Sequence, residues 1–387
     1  MRGLRVAGML VGLVVGTAMD TARGERLFRQ TDVFIRGQDG VKIYRIPGVI
    51  VSPAGTVLAF CEAREGGDQS PTDMVLKRSF DQGATWQKMQ IVVKRKGPQA
   101  IMNPCPVIDR KDGAILLFCN LFPNAKSQEI PGAVRQLMLR STDDGATWSK
   151  PVDFSEQIGD PKTWGSLCSG PGVSIQTSSG RLVVPLWHFE GRDKRDYLTG
   201  VCFSDDHGKT WRAGKTVAGP GNEGQVVELT DGTLMLNWRT KSGREHHRRT
   251  VAISKDGGDT WSKGRLDDAL ITPVCQGCII RYTRRQDGYA QDRLLFSNPA
   301  STKARVNMTV RISYDEGKTW AVGKTVYAGP SAYSCLAVLK DGTIGVFYET
   351  GKKHRYEKIS FARFNLEWLS DGADRLEKRS TKAGRAR

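Results

Sequence analysis

The chain has 387 residues, with 58 Lys/Arg against 41 Asp/Glu and a formal net charge of +17. That balance favours polyanionic partners, and because no nucleic-acid-binding motif accompanies it, an acidic sugar fits better than nucleic acid. Beyond the first eighteen residues no run is apolar and long enough to cross a membrane. Of the eight cysteines only Cys275-Gln-Gly-Cys278 forms a close pair, and no second pair or nearby histidines complete a zinc site.

In chain order, residues 1–18 read as a secretory signal. Arg2 and Arg5 form a basic start, Val6 to Val15 an apolar run, and Gly16-Thr17-Ala18 a small-residue cleavage site. The expectation is an exported protein, secreted or periplasmic, with no stable membrane span. Export permits disulfides. Most cysteines nevertheless sit in apolar strand-like runs such as Leu117-Phe118-Cys119, which predicts buried free thiols.

Residues 19–372 read as one repeating domain. The pattern S-x-D-x-G-x-T-W starts at Ser79, Ser141, Ser204, Ser254 and Ser313. Each copy has the chemistry of a hairpin turn. Ser and Asp side chains bond nearby backbone groups, Gly supplies positive φ, and Thr-Trp opens a strand whose indole can wedge between sheets. A second repeat interleaves with the first: Gly55 to Phe60, Gly113 to Phe118, Gly180 to Val184, Gly232 to Leu236 and Gly342 to Phe347, with Asp292 to Phe296 as a degraded copy. Six turn-plus-strand units of about four short strands each predict an all-β fold, a six-bladed β-propeller. The sixth unit lacks the eight-residue box, so a strand near the N-terminus is expected to close the ring. Residues 373–387 hold six Lys/Arg against two Asp/Glu and read as a frayed basic tail.

Three arginines stand apart by their surroundings. Arg45 lies in Tyr44-Arg-Ile-Pro47, Arg239 ends Leu234-Met-Leu-Asn-Trp-Arg239, and Arg305 precedes Val306-Asn-Met-Thr-Val310. Each falls at a strand terminus of a different unit, so the three guanidiniums can converge at the central channel. Guanidinium is permanently charged and grips carboxylate with two N–H groups.

Tyr-Arg-Ile-Pro near the start, the Asp boxes, Asn222-Glu-Gly-Gln-Val-Val-Glu228 and the late Tyr333 together resemble the exo-α-sialidases (neuraminidases) of the bacterial and animal type. The resemblance runs from about Phe34 to Phe364. It implies that Arg45, Arg239 and Arg305 bind the sialic acid carboxylate and that Arg64 lies near the sugar's O4 side. It implies Asp68 as acid/base, with Asp73 the competing carboxylate. Tyr333 would be the nucleophile and Glu223 its activating base, with Glu228 as competitor. Glu349 would hold the first arginine. Asn103 and Trp164 fall where the family builds pocket loops. Tyr197-Leu-Thr199 and the insertion Phe122 to Arg135 depart from many relatives, on the C5, glycerol and leaving-group sides.

The implied reaction is retaining hydrolysis of terminal α-linked sialic acid from glycoproteins, glycolipids or oligosaccharides, with no cofactor or metal, by a monomer. Most retaining glycosidases use a carboxylate nucleophile, and sialidases, with tyrosine, are an exception. A neutral phenol is not repelled by the carboxylate on the sugar's anomeric carbon, but it needs a base to take its proton. The same residue set suits transfer to a sugar acceptor or hydrolysis of a deaminated sialic acid. A non-catalytic propeller that binds sialoglycans is the rival from another class.

Overall fold

The eight-residue boxes fold as one repeated turn. In the first, Ser79 Oγ donates to Asp81 Oδ1 (2.8 Å) and accepts from Gly83 N–H (2.8 Å). Asp81 also accepts from Thr85 N–H (2.8 Å) and Thr85 Oγ1 (2.6 Å). The serine-to-glycine bond recurs at Gly145, Gly208, Gly258 and Gly317. Gly83 has φ 87°, and a Cβ there would lie 2.3 Å from the Phe361 ring. Glycine is therefore required both for its backbone angle and for the close approach of a neighbouring strand. The box tryptophans pack edge-on against rings of adjoining strands: Trp86 on Phe361 (5.5 Å), Trp148 on Phe60 (5.7 Å) and Trp211 on Phe118 (5.1 Å). This is the sheet-to-sheet wedging that their size suits.

The computed structural model describes residues 25–126, 134–159, 167–189, 197–240 and 246–379. The signal-like start, Trp164 and residues 380–387 lie outside them. The described fold is all-β, and its two α-helical pieces, Ser155–Ile158 and Leu366–Leu369, are four residues each. None of the described helices is long and apolar enough to cross a membrane.

Pairing is almost wholly antiparallel. In one sheet Ile43–Val51, Val57–Arg64, Thr72–Ser79 and Gln90–Val93 form a unit. Among the described residues its strand pairing with a second unit, Ala100–Asp109, Ala114–Phe122, Arg135–Ser141 and Val152–Asp153, is limited to the parallel pair Thr72↔Ala100. Leu182–Phe189 and Tyr197–Ser204 centre a third sheet, and Gly224–Glu228, Leu234–Trp238, Arg248–Ser254 and Arg265–Ile271 make a fourth. In the last sheet the seventeen-residue strand Val322–Val338 pairs through its first half with Val306–Ser313 and through its second with Ile344–Thr350. That strand joins two units. Phe28–Ile35 then pairs with Lys358–Phe364, so a strand near the start of the chain completes the last unit.

The inner strands share one polarity. Val49, Val107, Val173, Val227, Ile280 and Leu336, each from a different unit, line one cavity of about 690 Å³. The opposite ends of these strands carry Arg45, Asn103, Glu223 and Tyr333, which places the polar residues together at one end.

All eight cysteines are free and buried. Burial pushes the Cys105 and Cys119 thiols up to about 12, where they stay protonated. Within the stretch read as a basic tail, Asp374 is buried and bonds Arg293 Nε at 2.7 Å, while Tyr314 Oη donates to it at 2.7 Å.

The turn geometry predicts a graded cost. Gly83→Ala meets both positive φ and the Phe361 ring, and should lose about 2–4 kcal/mol from strain plus overpacking. Gly40→Ala, at φ 73° with nothing within 4 Å, should lose only about 1 kcal/mol. Urea unfolding of the two variants side by side checks the difference.

Candidate active site

Tyr333 sits in the second half of the long strand, 5% exposed, at the centre of the polar end. Its hydroxyl donates to the Glu223 carboxylate, lying 2.9 and 2.8 Å from the two oxygens. Glu223 immediately precedes the strand Gly224–Glu228, and its own carbonyl accepts Arg239 N–H at 3.1 Å. Arg239 Nε lies 2.7 Å from Glu223 Oε2 as an ion pair, although its hydrogen is not aimed along that line. Tyrosine, carboxylate and guanidinium thus stand in series. A nucleophile beside a base, with the base oriented by a third group, is the arrangement nucleophilic catalysis requires. Burial holds the Tyr333 phenol well above its usual range, with Arg239 and Arg305 opposing and Glu223 adding to the effect. The phenol is therefore neutral until a base takes its proton.

Three guanidiniums surround the tyrosine. The Arg45, Arg239 and Arg305 carbons lie 5.6, 5.9 and 5.5 Å from its ring centre. Arg45 is fixed by Glu349, which is fully buried and accepts from Arg45 Nε (2.6 Å) and Ile46 N–H (2.9 Å) on one oxygen. The other oxygen accepts Tyr333 N–H at 3.1 Å. Burial disfavours the Arg45 charge, but Glu349, Tyr356 and Asp68 outweigh it and hold the group charged. Arg239 and Arg305 each donate to Val274 O, at 3.2 and 3.0 Å. Val274 itself has φ 53°, a strained angle for a β-branched residue.

Behind that loop lies Arg249, fully buried with only neutral hydrogen-bond partners among the described residues. It donates to Asn237 Oδ1 (2.6 Å), Asn237 O (3.0 Å) and Cys275 O (2.9 Å). Burial and the neighbouring Arg239 pull it down to about 9. It braces the carbonyl next to the one that two arginines share.

Asp68 lies in the loop after Val57–Arg64, its side chain 72% exposed. It accepts from Arg45 Nη1 at 2.9 Å and from Arg64 Nη1. Burial pushes its carboxyl up, but Arg64 and Arg45 prevail and hold it below the usual range. The competing Asp73 is engaged elsewhere, with Lys94 Nζ at 2.7 Å and Arg95 N–H at 2.8 Å. Glu228, the competitor of Glu223, bonds Ser178 and Arg284 beside the cavity at the opposite end.

Two side chains at this site were not anticipated. Glu62, fully buried, accepts from Arg64 Nε at 2.6 Å and from Asn103 N–H at 2.7 Å. Asn103 therefore enters through its backbone, in a left-handed conformation (φ 58°). Alternation along Cys61-Glu-Ala-Arg64 puts Glu62 and Arg64 on one face of the strand, a signal available in the sequence. Tyr356 stacks on Arg45 at 3.7 Å and accepts from Arg305 Nη1 at 2.9 Å. Its only sequence signal is an aromatic ring directly after the basic run Lys352 to Arg355. Tyr197, one of the departures noted above, packs edge-on to Trp187 (5.3 Å) and Phe189 (5.6 Å). Among the described residues no group of three or more His, Cys, Asp or Glu is placed to hold a metal ion.

A buried pair broken on one side costs more than its removal. Glu349→Ala should therefore destabilise the fold by about 3–5 kcal/mol, and Arg45→Met with Glu349→Leu together by clearly less than the two single losses summed. Denaturant titration of the four-member cycle tests this.

Residues 55–346 match the family described as BNR repeat-like domain. The chain is 34% identical to a sialidase of Micromonospora viridifaciens, covering 94% of its own length and 58% of that protein. It is 30% identical to an exo-alpha-sialidase of Arthroderma benhamiae, with 86% of each covered. Among solved structures, Hadza microbial sialidase Hz136 matches with a TM-score of 0.80 at 29% identity, over 88% of this chain and 69% of that one. The chain thus spans less than two thirds of the length of the Micromonospora relative. The repeats and the arginine-ringed tyrosine agree with these matches: the chain belongs to the sialidase family.

Proposed function

We propose that this protein is an exo-α-sialidase that releases terminal α-linked sialic acid from glycoconjugates with retention, through a tyrosyl-enzyme intermediate. The carrying observation is the Tyr333 hydroxyl 2.8 Å from a Glu223 oxygen within a ring of three arginines. Arg45, Arg239 and Arg305 bind the sugar carboxylate and stabilise the oxocarbenium-like transition state. Glu223 accepts the phenolic proton as Tyr333 attacks the anomeric carbon. Asp68 protonates the leaving oxygen, then deprotonates the water that cleaves the intermediate.

The scaffold in this reading is a six-bladed propeller. Six antiparallel units whose inner strands meet at one cavity support it. The basic and apolar start of the chain supports export. No step needs a metal or cofactor.

The ion pairs suggest how Asp68 becomes an acid. The substrate carboxylate competes with it for Arg45 Nη1. Once that partner turns to the substrate, Asp68 loses one of the two guanidiniums that hold its carboxyl down, and the carboxyl rises toward protonation. As the proton donor, Asp68 fails on its basic side. With a sugar leaving group the basic limb of kcat, which reports the bound enzyme, should therefore lie at higher pH than that of kcat/KM. Coincident limbs would argue against the competition.

The nucleophile is checked by proton NMR with α2,3- and α2,6-sialyllactose. Free sialic acid should appear first as the α anomer, and Tyr333→Phe should slow its release at least about 100-fold. First appearance of the β anomer would exclude retention. Binding without turnover would point instead to a sialoglycan-binding propeller.

A further inference from the structure

A cavity of about 300 Å³ is lined in part by Arg239 and Arg305. His247, Val274, Thr302 and Lys303 complete most of its lining. Every ionisable side chain among the described lining residues is basic, and no carboxylate faces it. Two features set His247 apart. Its backbone is left-handed, with φ 52°. Its Nδ1 is buried without a hydrogen-bond partner among the described residues. Lys303 is exposed and forms no ion pair among the described residues. A strained, unsatisfied histidine between permanent cations is a group waiting for an acceptor.

We infer that this cavity is an anion subsite flanking the arginine triad, and that it takes a second acidic group of the substrate, carried by the sugar on the leaving side. The inference rests on the sialidase reading. The sugar carboxylate and the leaving oxygen share the anomeric carbon, so an acidic substituent close to the scissile bond emerges beside the triad. The carboxylate of a penultimate sialic acid and a sulfate ester are both anions with several acceptor oxygens. Lys303 supplies charge, and His247 donates from Nδ1 in the tautomer that carries its proton there. Arg239 and Arg305, each tied to Val274 O, add a fixed positive field from one wall. The subsite gives the enzyme a preference among sialosides without altering the chemical step.

The test compares kcat/KM of the full chain on three substrates: α2,3-sialyllactose, the same compound sulfated on its galactose, and α2,8-disialyllactose. Wild type, Lys303→Glu and His247→Gln are measured at low and at moderate salt. For at least one acidic substrate, each variant should lose about tenfold more activity than it loses on sialyllactose. Salt should shrink the wild-type preference, because exposed charge is screened. Whether the sulfated or the disialylated compound responds identifies which acidic group the subsite takes. Lys303 is exposed, so its variant is expected to fold, and circular dichroism confirms that for both. Equal losses on all three substrates, with sialyllactose still hydrolysed, overturn the subsite and leave the sialidase reading intact. Hydrolysis of none of the three overturns both.

Discussion

The buried carboxylate of Glu349 holds the site together. With no solvent to satisfy it, it must find donors from the protein, and an unpaired ion at that depth would cost several kcal/mol. Its donors come from distant parts of the chain: the side chain of Arg45, the backbone of Ile46 and the backbone of Tyr333. One anion therefore aligns the first inner strand, the long strand bearing the tyrosine, and its own strand Ile344–Thr350. The last unit is also completed by a strand from the start of the chain, because Phe28–Ile35 pairs with Lys358–Phe364. The junction of the first and last units and the placement of Tyr333 share the same contact.

Charge at this end is arranged in two layers. Four arginines face the site, and each is held by something behind it. Arg45 has Glu349, Arg64 has Glu62, Arg239 has Glu223, and Arg305 has Tyr356 and the Val274 carbonyl. Glu349 bonds the backbone N–H of Tyr333, and Glu223 alone among these accepts from its hydroxyl. The site therefore presents guanidiniums to a substrate carboxylate and places one ion-paired carboxylate against the phenol, where a base is needed. Arg249 belongs to the supporting layer and keeps the strained Val274 loop in place through Cys275 O. The site's cationic character is thus built into strands and braced carbonyls rather than carried by mobile surface side chains.

Much of this was legible in the sequence, for different reasons in different places. The boxes announced their turns because Ser, Asp, Gly and Thr each have one job that few other residues can do. The three arginines stood out by lying at strand ends, and resemblance supplied the roles of Tyr333 and Glu223. The loop aspartate was ambiguous with Asp73 because nothing local separates two acids five residues apart. The distinction comes from partners more than twenty residues away, Lys94 and Arg95. Val274 was invisible for a deeper reason: it acts through its carbonyl, and any residue has one. Asn103 likewise contributes its N–H. Tyr356 reaches Arg45 only through the tertiary fold. Glu62 was readable from strand alternation and went unread.

The central claim is that Tyr333 is the nucleophile. Mass spectrometry would test it most directly, on protein mixed with a sialic acid derivative that has fluorine beside the anomeric carbon and a good leaving group. Fluorine there slows both formation and breakdown of the intermediate, and the good leaving group restores its formation, so the adduct accumulates. The account predicts a stoichiometric adduct on the peptide containing Tyr333, absent in Tyr333→Phe. An adduct mapped to Glu223 or Asp68, or rapid turnover with no adduct at any time, would contradict it.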